Sequence, residues 1–142
     1  MRSRIGAILI LAVALRCSHG APPPSAAQAP EIPEAALGAP FVLRPGESSK
    51  IREEPVTLVF EQILSDNRCA VDVQCVIAGE ARGSFRLEKP GTLSISFGLD
   101  TGEDREVTVN GYTIRLRSVS PAPRSTVRID PRDYIAEIVV SR

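Results

Sequence analysis

Tryptophan is absent from this 142-residue sequence, phenylalanine and tyrosine occur four and two times, and the one histidine is His19. So few aromatic faces leave little on which a nucleic-acid base can stack. A lone histidine near the amino terminus removes the usual general base for a serine or cysteine nucleophile, and neither a G-x-S-x-G elbow nor an S-x-x-K arrangement is present. Any catalysis would have to run on carboxylates or on a cofactor with no signature here. An excess of either charge is also missing, with 17 Lys and Arg against 17 Asp and Glu, which excludes electrostatic capture of nucleic acid. No segment carries a sustained helical period.

The single long apolar run is Ile5 to Leu15, which follows Arg2 and Arg4 and is too short to span a bilayer as a helix. A positive segment followed by such a run reads as an export signal over residues 1–20. Two processing routes are open. Ser18 and Gly20 place small residues where a signal peptidase reads, giving a start at Ala21, and the small-residue rule favours this route. Alternatively, Cys17 stands where a bacterial lipoprotein would be lipidated, although Arg16 is a bulky residue for the position before it. A lipid on Cys17 would be the only membrane attachment. Loss of Arg2, Arg4 and Arg16 leaves 14 cations against 17 anions, so the exported chain is mildly acidic.

From Ala21 to Pro40, 13 of 20 residues are Pro or Ala, a composition with too little apolar surface to offset chain entropy. This stretch is expected to be a disordered, semi-stiff linker, reaching at most about 60 Å as polyproline II. The remainder, residues 41–142, is rich in Val and Ile, whose branched side chains suit a pleated, half-buried surface. Leu93, Ile95, Phe97 and Leu99 alternate with Thr92, Ser94, Ser96 and Gly98 in the clearest strand signal, with the first set predicted inward. Further strands are predicted at 41–43, 50–52, 56–64, 80–87, 105–109, 112–119 and 135–140. Asn110-Gly111 marks a tight hairpin turn. Many short strands with Gly and Pro punctuation predict an all-β domain, a single antiparallel β-sandwich, with a small closed or partly open β-barrel as the alternative.

Cys69 and Cys75 are an even pair in an exported chain and are expected to form a disulfide. Extended, they would stand about 20 Å apart, whereas a bridge needs Cα atoms within about 7 Å, so residues 70–74 must double back. Two thiols without histidine make too few ligands for zinc, and C-x-x-C redox spacing is absent. The bridge is either a staple for an irregular loop or a device that presents Asp66, Asn67, Arg68 and Asp72 as a rigid recognition surface.

The segment LSDNRCAVDVQCVIAGEARGSFRL resembles a family of small exported or lipid-anchored bacterial β-rich proteins with an Asp-x-Arg-Cys-x5-Cys-x3-Gly motif. Asp66, Arg68, Cys69, Cys75, Ala78, Gly79 and Glu80 carry the resemblance, which continues through Gly111-Tyr112, Leu116, Pro121 and Tyr134. Asn67, Ala70 and Ile77 replace the family's usual Ser, Pro and aromatic residue. The resemblance implies an exported β-rich domain and no particular activity.

Three other features invite chemistry. Asp100-Thr101-Gly102 after an apolar strand is similar to the catalytic tripeptide of retropepsin-like proteases, which need two carboxylates sharing a proton. Asp100, Glu103 and Asp104 offer oxygen ligands for calcium without EF-hand spacing. Arg82 and Arg86 on one predicted strand and Arg115 and Arg117 on another would grip an anionic glycan or carboxylates if the strands were neighbours. A solvated turn and a mixed-charge outer face account for the same residues. The leading expectation is a non-enzymatic exported cell-envelope, periplasmic or secreted domain that binds a protein or glycan partner through the stapled loop, with no cofactor and no metal. The alternatives are a structural or accessory envelope protein without a soluble ligand, and a small hydrolase built on Asp100.

Overall fold

The structure is a computed structural model and describes residues 31–142. The expected export signal, Cys17 and the first half of the expected linker lie outside the described residues. The second half of that linker belongs to the folded domain. Glu34–Ala35 form β1, Ala35 is buried, and the Pro33 carbonyl accepts hydrogen bonds from the Lys50 N–H at 2.9 Å and the Ser49 hydroxyl at 3.0 Å. Proline removes a main-chain donor but keeps its acceptor, so a Pro-rich approach can still dock along a strand.

Eight further strands follow: β2 (Pro40–Leu43), β3 (Ser48–Ile51), β4 (Thr57–Asp66), β5 (Ala81–Glu88), β6 (Ile95–Asp100), β7 (Glu106–Val109), β8 (Tyr112–Ser120) and β9 (Ile135–Ser141). A 3-10 turn, Pro131–Asp133, precedes β9. The strands form two sheets, a five-stranded one ordered β1-β3-β4-β5-β6 and a four-stranded one ordered β2-β9-β8-β7. Two separate sheets make this an all-β sandwich and not a closed barrel. All named pairings are antiparallel except β1 with β3, which is parallel.

Period-two alternation builds the core. In β5, Ala81, Phe85 and Leu87 are buried while Arg82, Ser84, Arg86 and Glu88 face outward; in β9, Ala136, Ile138 and Val140 point inward. Leu58 and Phe60 of β4 and Ile114 and Leu116 of β8 complete the centre of one continuous cluster, with the Phe60 and Phe85 rings stacked at 4.8 Å. Asn110 and Gly111 take positive φ angles of 52° and 81° in the two-residue turn that pairs Val109 with Tyr112. This is the geometry that favours Asn-Gly.

The strand expected over 92–99 starts three residues later and runs to Asp100. Leu93, predicted inward, is 88% exposed, and Ile95 is also exposed. β6 is the last strand of the wider sheet, and it is buried only at Leu99 and Asp100.

Candidate functional site

The pairing of β4 with β5 does not stop at Asp66 and Ala81. The Asn67 N–H donates to the Glu80 carbonyl at 2.8 Å and the Cys69 N–H to the Ala78 carbonyl at 2.6 Å, so the cysteine loop is the tip of the β4–β5 hairpin. Cys69 and Cys75 are disulfide-bonded with Cα atoms 5.9 Å apart, which closes the tip. Gly79 lies at the return of this hairpin with φ of 66°, and a Cβ there would overlap the Asn67 carbonyl. Only glycine suits both the left-handed backbone and the close approach.

Asp66 and Arg68 clamp the base of the tip. Asp66 Oδ1 accepts from the Arg68 N–H at 3.2 Å and Nε at 2.8 Å, and Oδ2 accepts from Arg68 Nη2 at 2.6 Å and the Tyr134 hydroxyl at 3.1 Å. Arg68 Nη1 also donates to the Val119 carbonyl and Nη2 to the Pro121 carbonyl at 2.9 Å. Both charged side chains are largely buried, at 9% and 14% exposure. Burial alone would raise the Asp66 carboxyl, but hydrogen bonds and charge from Arg68, with Tyr134 adding to them, hold it below its ordinary value. Burial, and then the bond to Asp66, push the Tyr134 phenol up.

A second tie fixes the far side of the tip. Asp72 accepts from the Ser125 N–H and hydroxyl, each at 2.8 Å, and the first of these bonds does most to lower its carboxyl. The Val71 N–H donates to the Pro123 carbonyl at 3.0 Å. Three of the four polar residues expected to face a partner therefore have intramolecular partners. Asp66 and Arg68 are buried in the clamp, Asp72 holds the 121–125 segment, and only Asn67 combines an exposed side chain with a backbone role.

Beside Asn67, Asp72 and Gln74, the tip shows a group of apolar side chains to solvent. Val71, Val73, Val76 and Ile77 are all exposed, Ile77 at 79% and Val76 completely. Sequence reasoning centred on charge passed over these residues. One signal for them was available: a loop closed by residues 69 and 75 has no interior of its own, so its valines must lie on another element or face water. The clamp turns them outward. Among the described residues, the tip brings no nucleophile, acid and base together.

The other features invite less. Asp100, at the buried end of β6, is 2% exposed; its Oδ1 accepts the Gly102 N–H at 2.9 Å, and Arg82 Nη1 lies 3.6 Å from Oδ2. Arg82 also reaches towards Asp104 at 3.8 Å, and Glu103 is exposed, so the three acids do not converge. No group of three or more His, Cys, Asp or Glu among the described residues is placed to hold a metal ion. The two arginine rows are not neighbours: β5 and β8 belong to different sheets, and their outward rows face opposite sides of the sandwich. Arg86 is paired with Glu61 at 3.0 Å and with Glu88. Hydrogen bonding from Ser84, with Arg86 and Ser96 adding to it, lowers the Glu61 carboxyl. Arg115 and Arg117, together with Arg105, line an open groove of about 480 Å³, but Arg105 donates to the Thr101 and Gly102 carbonyls, and Glu106 and Glu137 stand 3.9 and 3.7 Å from the other two.

No helix among the described residues is long and apolar enough to cross a membrane. A disulfide is compatible with an oxidising location outside the cytoplasm. Compared with protein-family models, with curated proteins and with solved structures, the chain has no match.

Proposed function

We propose that this chain is a non-enzymatic exported domain of the cell envelope that docks a protein partner through the stapled tip of its β4–β5 hairpin, with Val71, Val73, Val76 and Ile77 as the contact residues. The observation that carries this reading is an apolar group standing in water on a backbone fixed by a disulfide, a buried ion pair and the tie to Ser125. A loop held in one conformation loses little entropy on binding, and covering one such side chain is worth about 1.5–3 kcal/mol. A glycan would ask for free donors and acceptors, whereas Asp66, Arg68 and Asp72 are already bonded within the domain. The similarity of the Asp66 to Gly79 segment to exported proteins, and the leader-like residues 1–20, support the location.

The test compares capture from envelope extract by the full oxidised chain and by a Val76→Ser, Ile77→Ser variant. Both replaced side chains face solvent, so the variant is expected to melt with the parent. A stoichiometric protein retained by the parent and lost by the variant supports the reading. Equal capture by both, or none by either, overturns it. Binding of the parent to protein-free phospholipid vesicles, lost in the same variant, would replace the protein partner with a lipid surface.

The second reading, a structural or accessory envelope protein without a soluble ligand, draws on a different observation. The charged residues Asp66, Arg68 and Asp72 at the tip are engaged in holding the domain together, as a staple requires. It predicts that the Val76, Ile77 variant behaves like the parent in every binding assay.

A further inference from the structure

The two sheets end in four edges, β1 and β6 on one and β2 and β7 on the other. Three of them carry features that block strand addition. β1 is two residues long behind Pro33; β2 begins at Pro40 and is followed by Arg44-Pro45; β7 starts at Glu106, directly after Glu103, Asp104 and Arg105. Proline, charge and shortness are the devices by which folded domains avoid edge-to-edge pairing. β6 is six residues long, has no proline, and carries a charge only at its last residue, the buried Asp100. From Thr92 to Leu99 there is no charge and no proline, and its ladder with β5 runs from Leu87–Ile95 to Arg82–Asp100 without a bulge.

The hydrogen-bonding side of this edge can be worked out. The Thr101 N–H donates to the Ala81 carbonyl on the β5 side, while the Asp100 N–H donates to the Asp104 carbonyl on the other. Strand alternation then points the N–H and C=O groups of Ser96 and Gly98 away from β5, where no other strand pairs with them. Ile95 and Phe97, on the core-facing side, are incompletely covered, and Leu93 just before the strand is 88% exposed. Unpaired backbone and uncovered apolar side chains therefore coincide on one strand.

We propose that β6 is a self-association edge, where a second copy of this chain adds its own β6 antiparallel to the first and joins the two five-stranded sheets into one. An antiparallel pairing about a two-fold axis is self-complementary, so one strand serves as both surfaces. With Phe97 at the axis, Ser96 of each copy exchanges both main-chain hydrogen bonds with Gly98 of the other, and Ile95 comes to lie beside Leu99. In this register the one charged residue of the strand, Asp100, lies opposite Ser94 of the other copy, so no like charges are set against each other across the axis. The chain's own undescribed segment is a poor occupant. Residues 21–30 carry four prolines, which cannot donate to a ladder, and the described chain begins at Glu31 just ahead of β1, at the opposite edge of the same sheet, about 19 Å away at the usual strand spacing.

The test is amide hydrogen exchange of the full chain, read residue by residue, at roughly 5 and roughly 500 µM, with the mass in solution measured alongside. The expected result is a dimer at the higher concentration and at least about tenfold slower exchange at Ser96 and Gly98, with Phe97 and Leu99 protected at both concentrations. Ser96→Pro removes an outward-facing N–H together with the exposed hydroxyl contact to Glu61 at 3.4 Å, and Ile95→Lys places a charge on the edge. Both are expected to keep the parent's circular dichroism and to remain monomeric. A monomer at the higher concentration, or a dimer that persists in both folded variants or leaves Ser96 and Gly98 unprotected, overturns the proposal.

Discussion

Tyr134 donates its phenolic hydrogen bond to Asp66 at 3.1 Å across 68 residues of sequence, and in doing so ties the last turn before β9 to the end of β4 in the opposite sheet. The same carboxylate receives Arg68, whose other donors reach Val119 and Pro121. One buried acid thus fastens the hairpin tip, the end of β8 and the approach to β9 at a single point.

Removing Arg68 leaves that acid buried without its cation. Arg68→Ala is expected to destabilise the domain by about 2–4 kcal/mol, towards the range for breaking a buried pair from one side. Arg68→Lys is expected to recover little, because an ammonium cannot reach the carboxylate and two carbonyls in one plane. Urea unfolding of both variants checks this, and a loss under about 0.5 kcal/mol, typical of a surface change, would count against the clamp.

The clamp also gives stability a pH dependence. The Asp66 carboxyl, whose ordinary value is 3.8, titrates lower when folded, and Glu54, Glu61 and Asp72 shift in the same direction. The unfolded chain therefore takes up protons first as the pH falls. The contribution of these groups is complete above their ordinary values and is lost as the pH drops through the folded ones. The urea midpoint is expected to be level from about pH 7 to 5 and to fall below about pH 4, with a shallower fall in Asp66→Asn.

Gly79 offers a sharper case because its failure is local. Gly79→Ala must hold φ near 66° and displace the Asn67 carbonyl, so a cost of at least about 1–3 kcal/mol is expected from the backbone conformation, with the collision added. Gly46→Ala is the control for conformation alone: its φ is 87°, and nothing lies within 4 Å of the position a Cβ would take. The difference between the two thermal shifts isolates the collision, and equal shifts would remove it.

Reducing the Cys69–Cys75 bridge is expected to cost about 2 kcal/mol by the chain-entropy argument for so short a loop. The loss should appear first as faster amide exchange at Cys69 and Val71, whose N–H groups donate to Ala78 and Pro123. Exchange at Phe85 and Ile138 in the core should follow only global unfolding. Uniform acceleration across the domain would mean that the bridge supports the whole fold and not the tip.

The sandwich was legible in the sequence because alternation is a local signal: the buried and outward rows of β5 and β9, the Asn110-Gly111 turn and the cysteine pair can each be read within a few residues. β1 was not, because its Pro and Ala composition hides two main-chain pairings that depend on β3. Leu93 was misplaced because alternation continues past the end of the sheet that would cover it. The surroundings of the motif's charged residues were hidden for a similar reason. Asp66, Arg68 and Asp72 look like recognition residues until their partners are known, and those partners are Tyr134, Ser125 and carbonyls at 119 and 121, which no spacing near the motif announces. The apolar residues between and beyond the cysteines, exposed beside Asn67, Asp72 and Gln74, are those on which the proposed docking rests.

The place of β9 has a consequence for how the domain comes into being. β9 lies between β2 and β8, so Pro40 to Leu43, among the first folded residues to be synthesised, find their ladder partners only in Ala136 to Val139. The other sheet needs nothing beyond Asp100. A ribosome or an export channel that delivers the chain from its amino end therefore releases one finished sheet first, with its apolar face bare. The second sheet closes over it only when the final strand arrives, which leaves an interval in which a holding chaperone would find its client.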